Sequence, residues 1–157
     1  MKTKNLTTNF SILSELDLTQ QQKELVNKAK EAAGKAYAPY SQFQVGAAVL
    51  LENGQIVTGN NQENAAYPSG LCAERTAVFY ANAQYPDEPV KAIAIAARTA
   101  GKWLENPISP CGSCRQALLE TERRFGADIQ VLLYGKKEIL LIDSIKSLLP
   151  FAFSLTE

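Results

Sequence analysis

Val90-Lys91-Ala92-Ile93-Ala94-Ile95-Ala96-Ala97 is a nearly continuous apolar run, interrupted by one lysine. A strand with one face in water alternates polar and apolar residues, so a run this uniform belongs at the centre of a sheet covered on both faces. Upstream of it, a helix is predicted from close to Cys72, through Arg75, Ala77, Val78 and Ala81, to about Ala83. Downstream, after an irregular stretch over residues 98–110, a second helix opens at Cys111 or Gly112 and ends near Phe125-Gly126. Beyond it, residues 128–134 and 138–142 read as strands, and 144–149 as a short closing helix before Pro150. Toward the start of the chain, residues 43–51 and 55–59 flank Asn53-Gly54, the strongest short hairpin signal, and predict two antiparallel strands. Earlier still, Thr19 and Gln22 form a capping box, and Leu25, Ala29, Ala32, Ala33 and Ala36 recur at helical spacing. That helix is expected to run to about Tyr37, before Pro39. Strands alternating with helices predict an α/β fold, a three-layer α/β/α sandwich around a mixed sheet of about five strands. Residues 1–18 are polar with scattered apolar positions and read as an extended arm or short strand, which leaves 19–157 as a single domain.

The chain has 157 residues, 16 basic and 16 acidic side chains, three cysteines and no histidine. With charge balanced, there is no basic excess to neutralise a phosphate backbone, so a small substrate is expected rather than nucleic acid. No apolar run approaches bilayer length, and the first residues lead into nothing resembling a secretory signal; no membrane partner is expected, and the location expected is cytoplasmic.

All three cysteines fall into two motifs, Cys72-Ala73-Glu74-Arg75 and Pro110-Cys111-Gly112-Ser113-Cys114. Structural zinc closes with four nitrogen or sulfur ligands, whereas catalytic zinc uses three and leaves a position open. Three thiolates therefore suit a catalytic site holding one Zn2+ per chain. Cys72 would stand at the start of one helix, and Cys111 and Cys114 on the first turn of the next, so two positive helix ends would face the sulfurs. Glu74, beside the cluster, is the candidate acid–base group, and Arg75, one turn after Cys72, could offset the negative charge of three thiolates. A redox site accounts for Cys111 and Cys114 but leaves the first motif unexplained. Taken alone, Glu74 would be a solvated helix residue and Arg75 a partner for a core carboxylate. The pattern C-x-E followed by P-C-x-x-C is that of zinc-dependent base deaminases.

With these motifs, residues 40–48 (Tyr-Ser-Gln-Phe-Gln-Val-Gly-Ala-Ala), 61–68 (Asn-Gln-Glu-Asn-Ala-Ala-Tyr-Pro) and 109–116 make nearly the whole chain resemble the small, homotetrameric, three-cysteine cytidine deaminases. The resemblance implies hydrolysis of cytidine and deoxycytidine to the uridines and ammonia, in pyrimidine salvage. It implies that Phe43 lies against the pyrimidine, that Asn61 and Glu63 hold the ribose 3′-hydroxyl, and that the Ala73 amide meets the 2-oxo group. It further implies that Ala65, Tyr67 and Phe153 serve a neighbouring subunit's site. Without it, Asn61 and Glu63 would pass for an ordinary polar loop, and Phe43 for a core residue. The alternatives are a deaminase of another small aminated ring, such as blasticidin S or a modified nucleoside, and a non-catalytic zinc-stabilised binding module. The arm before Thr19 and the stretch around Trp103 are not strong features of that family, and Ala66 stands where many of its members carry cysteine.

Overall fold

A computed structural model describes residues 1–155; the last two residues of the 19–157 range lie outside it. In chain order the elements are β1 (Ser11–Leu13), α1 (Gln20–Ala33), β2 (Phe43–Leu51), β3 (Ile56–Asn60), α2 (Ala73–Gln84), β4 (Val90–Thr99), β5 (Lys102–Trp103), α3 (Gly112–Phe125), β6 (Gln130–Tyr134) and β7 (Ile139–Ile142). Short 3₁₀ turns cover Tyr67–Ser69 and Ile145–Leu148. The strands form one mixed sheet in the order β1-β7-β6-β4-β2-β3, with β5 folded back on β4. Among the named strands of the described residues, only β4 and β6 pair in parallel; the other ladders are antiparallel.

The apolar run at residues 90–97 is the middle of this sheet, between β2 and β6. Its residues alternate after all, by size rather than polarity. Ile93 and Ile95 join the core shared with Ala73, Ala77 and Val78 of α2 and Leu118 and Leu119 of α3. Ala92, Ala94 and Ala96 face the other way, into a core with Leu25, Val26 and Ala29 of α1. Both faces are covered, so the strand carries no polar stripe, and the molecule is the expected α/β sandwich. The small-residue face lets α1 come close: a methyl group at Gly46 of β2 would overlap the Ala29 carbonyl and the Ala33 amide. On the opposite face, Gly59 of β3 gives the same clearance to Ala73 and Ala77 of α2.

The five strands expected from the sequence are all present, and two short ones are added. In the stretch read as irregular, Ala100 and Gly101 adopt left-handed conformations (φ 47° and 75°) and turn the chain back as β5. Within the N-terminal arm, β1 pairs with β7, and the Thr8 hydroxyl donates to the Ser147 carbonyl at 3.1 Å. The first helix stops at Ala33 rather than near Tyr37. Gly34 caps it, and the Tyr37 backbone is taken up elsewhere, donating to Asn61 O at 3.0 Å and accepting from Glu63 N at 2.9 Å. The closing helix is the single 3₁₀ turn already noted, opened by the Ser144 hydroxyl accepting from Lys146 N.

One buried carboxylate ties the end of the chain to α3. Glu122 accepts from the amides of Ile129 at 2.8 Å and Ile145 at 2.9 Å, and from the Ser144 hydroxyl at 2.8 Å. Replacing it leaves two buried donors without an acceptor. Glu122→Ala is therefore expected to lower unfolding stability by about 2–4 kcal/mol, measurable by urea denaturation.

Candidate active site

β3 and β4 each run antiparallel to β2, which lies between them, so they point the same way. α2 follows β3 and α3 follows β4, both packed on the isoleucine face of the sheet. Two crossovers of the same sense on one face bring both helix N-termini to the same edge, outside the carboxyl ends of the strands. Cys72 is the N-cap of α2, Cys111 is the N-cap of α3, and Cys114 lies on its first turn. The three sulfurs lie within 4.8 Å of one another, and Cys111 and Cys114 Sγ are 3.5 Å apart.

This donor set fits zinc. Tetrahedral coordination with Zn–S near 2.3 Å places sulfurs roughly 3.8 Å apart, within the spread seen here. The thiols by themselves compete for charge. Burial, then the neighbouring Glu74 carboxylate and the other two thiols, pushes the Cys114 thiol far up. For Cys111, burial acts upward too, but the amides of Cys114 and Ser113 and the two other thiols outweigh it and hold it below its ordinary value. A divalent cation among the sulfurs replaces that repulsion with attraction, so all three can ionise.

Glu74 is 5% exposed. Burial raises its carboxyl above the usual range, against the lowering influence of its own amide, the Cys114 thiol and Arg75. Arg75 donates to Cys72 Sγ at 3.4 Å and is held charged by Cys72 and Cys114, while its Nε is buried without a partner among the described residues.

Cys72 and Arg75 line a cleft of about 580 Å³ together with Tyr40, Ser41, Asn61, Glu63 and Tyr67. The loop carrying the last three is closed by a two-way backbone bridge between Gln62 and Leu71, at 2.9 and 3.0 Å. Asn61 donates to Phe43 O at 2.9 Å and accepts from Val45 N at 2.8 Å. Glu63 accepts from the Tyr40 and Ser41 amides and from the Ser41 hydroxyl. The structure thus brings Cys72, Cys111, Cys114, Glu74, Arg75 and the buried Ala73 into one cluster, of which Cys72 and Arg75 line the cleft together with Asn61, Glu63 and Tyr67, while Ala73, Glu74, Cys111 and Cys114 do not.

Phe43, Ala65 and Phe153 do not line this cleft. Phe43 sits half-buried at the start of β2, and Ala65 is exposed. The Phe153 ring is 68% exposed, although its carbonyl accepts from Gln116 and Arg123 of α3. Two supporting groups escaped the sequence reading. The Tyr40-Ser41 turn holds Glu63, and Arg115 bridges the Pro110 and Leu148 carbonyls, both at 2.8 Å. Arg115 stands beside a metal-type cysteine and could have been suspected; a loop serine gives no signal until its partner is located.

The family model for the cytidine and deoxycytidylate deaminase zinc-binding region matches residues 19–125. A cytidine deaminase of Halalkalibacterium halodurans is 41% identical over 130 residues, covering 83% of this chain and 92% of that protein. The crystal structure of a cytidine deaminase from Burkholderia pseudomallei aligns with a TM-score of 0.71 at 40% identity, over 87% of this chain and 100% of that one. For the Mycobacterium tuberculosis cytidine deaminase the TM-score is 0.66 at 36% identity, over 84% and 96% of the two chains. Elemental analysis of the purified protein is expected to find one zinc per chain, and to find it lost in a Cys111→Ser/Cys114→Ser variant.

Proposed function

This chain belongs to the cytidine and deoxycytidylate deaminase family, and from that premise we propose that it hydrolyses cytidine and deoxycytidine to uridine and deoxyuridine with release of ammonia, acting in the cytoplasm in pyrimidine salvage. The observation that carries the reading is a buried carboxylate, Glu74, beside three converging sulfurs, of which Cys72 lines a cleft large enough for a nucleoside. Cys72, Cys111 and Cys114 would hold zinc, which when bound would act as a Lewis acid and lower the pKa of a water molecule toward neutral.

The remaining work falls to side chains and amides of the protein. Glu74 takes a proton from the attacking water and delivers it to ring nitrogen three, so that carbon four becomes electrophilic; it then takes the proton of the hydroxyl added at carbon four and passes it to the amino group, so that the carbonyl forms as the carbon–nitrogen bond breaks and ammonia leaves. Its burial supports this role, since a carboxyl raised toward neutrality both accepts and returns protons. Arg75 offsets the charge of the thiolates. Ala73 is the first residue of α2, where a helix amide has no partner of its own, and it donates to the pyrimidine 2-oxo group. Asn61 and Glu63 take the ribose, and Phe43 packs on the base. Tyr67 and Phe153, both largely exposed, and Ala65 complete the site of an adjoining subunit in a tetramer. Nine-tenths coverage of the Halalkalibacterium halodurans cytidine deaminase supports carrying over the whole activity rather than a part of it.

Ammonia release from cytidine is expected to cease on chelation and return with zinc. In Glu74→Gln, zinc content and fold persist while turnover drops by about 10³–10⁴ or more, since general acid–base catalysis is worth roughly 10²–10⁴ and this residue serves several transfers. A variant retaining a tenth of the turnover would remove Glu74 from the role. For the shared site, Glu74→Gln protein mixed with Phe153→Ala protein should regain activity after subunit exchange, followed by the same assay; a fully active monomer in sedimentation excludes it.

A further inference from the structure

The turn that precedes β2 is organised around one hydroxyl. Ser41 Oγ donates to Glu63 Oε1 and accepts from the Phe43 amide at 3.0 Å. The other carboxylate oxygen, Oε2, accepts from the amides of Tyr40 at 2.8 Å and Ser41 at 3.2 Å. Ser41 and Gln42 are exposed, and Tyr40 keeps one ring contact, edge-on to Tyr67 at 6.4 Å, so the turn is held chiefly by polar contacts. It also carries a local cost, because Gln42 sits at φ 56°, a region that side chains other than glycine's rarely enter. The Gln42 amide to Ala38 O and its side chain to Pro39 O, both at 3.1 Å, help to keep it there.

A carboxylate offers about four lone-pair positions. Three are filled by this turn, two on Oε2 and one on Oε1, which leaves a single acceptor position, on the oxygen that Ser41 grips. The same hydroxyl fixes the amide side of Phe43, whose carbonyl is held by Asn61 at 2.9 Å. The Phe43 backbone and the Glu63 carboxylate are therefore joined through one oxygen atom. Building on the reading of Glu63 as the ribose partner, we propose that Ser41 is a positioning residue for sugar recognition: it locks the rotation of the Glu63 carboxylate and directs its one remaining lone pair at the 3′-hydroxyl. The Ser41 hydroxyl, and with smaller effect the Tyr40 and Ser41 amides, hold Glu63 below the usual carboxylate range against an opposing effect of burial, so it is an acceptor only at neutral pH.

Steady-state kinetics on cytidine and 3′-deoxycytidine, which differ only in that hydroxyl, test the assignment on the full-length zinc-loaded enzyme. In Ser41→Ala the preference for cytidine, measured as the ratio of kcat/KM values, should shrink about tenfold, the loss on cytidine entering chiefly through KM. Ser41→Thr, which keeps the hydroxyl, should retain the preference. In a Glu63→Gln background the Ser41→Ala change should shrink it little further, because both act on one contact. Zinc content and thermal melting equal to the parent's establish that each variant is folded. Equal losses on both substrates, or an unchanged preference, in Ser41→Ala overturn the positioning role. Glu63→Gln with an undiminished preference overturns the ribose reading itself, and Ser41's role with it. If Ser41→Ala does not fold, loss of the preference in Ser41→Thr overturns the role and its retention supports it.

Discussion

Three thiol sulfurs within 4.8 Å of one another make a costly arrangement unless something positive faces them. Most of this structure answers that demand. Two helices end their dipoles on the cluster, Arg75 lies against Cys72, and the donor set admits a divalent cation. For the helices to aim together, β3 and β4 must run in the same direction and their crossovers must share a face, which fixes the positions of β2 and β6 in the sheet. The close fit of Gly59 under α2 belongs to the same requirement, since a larger residue there would lift the helix that presents Cys72 and Glu74.

What the sequence disclosed most directly was whatever depended on local pattern. The capping box at Thr19, the Asn53-Gly54 hairpin and the apolar run of β4 are each set by neighbours within a few residues, and each is where the pattern places it. The metal cluster was legible for a different reason. Its chemistry is so selective in residue type that three cysteines and one carboxylate narrowed the options before any fold was known. That Cys72 and Cys111 are both helix caps follows from the same two facts together.

Features decided by distant partners were not legible. The first helix stops early because Tyr37 pairs with the loop after β3, and nothing within residues 34–37 announces that pairing. β5 hangs on an alanine in a left-handed conformation, where sequence rules look for glycine or asparagine. Asn61 and Glu63 were expected to hold the sugar through the resemblance, and to be an ordinary polar loop without it; the structure shows them engaged in holding the protein, Asn61 against β2 and Glu63 against the Tyr40-Ser41 turn. A polar residue with several lone pairs can do both, and residue type alone does not reveal the division.

The two sets of sulfur ligands are separated along the chain by the whole of β4, which pairs with β2 on one side and with β6 on the other. None of the local hairpins brings Cys72 to Cys111. Their meeting waits on closure of long-range contacts, the slow class of event in chain collapse. Metal capture is therefore a late event, a reward for completed topology rather than a seed for it. A nascent or misfolded chain offers at most the Cys111–Cys114 pair, a weak two-point chelate, and so the ion discriminates between finished and unfinished molecules.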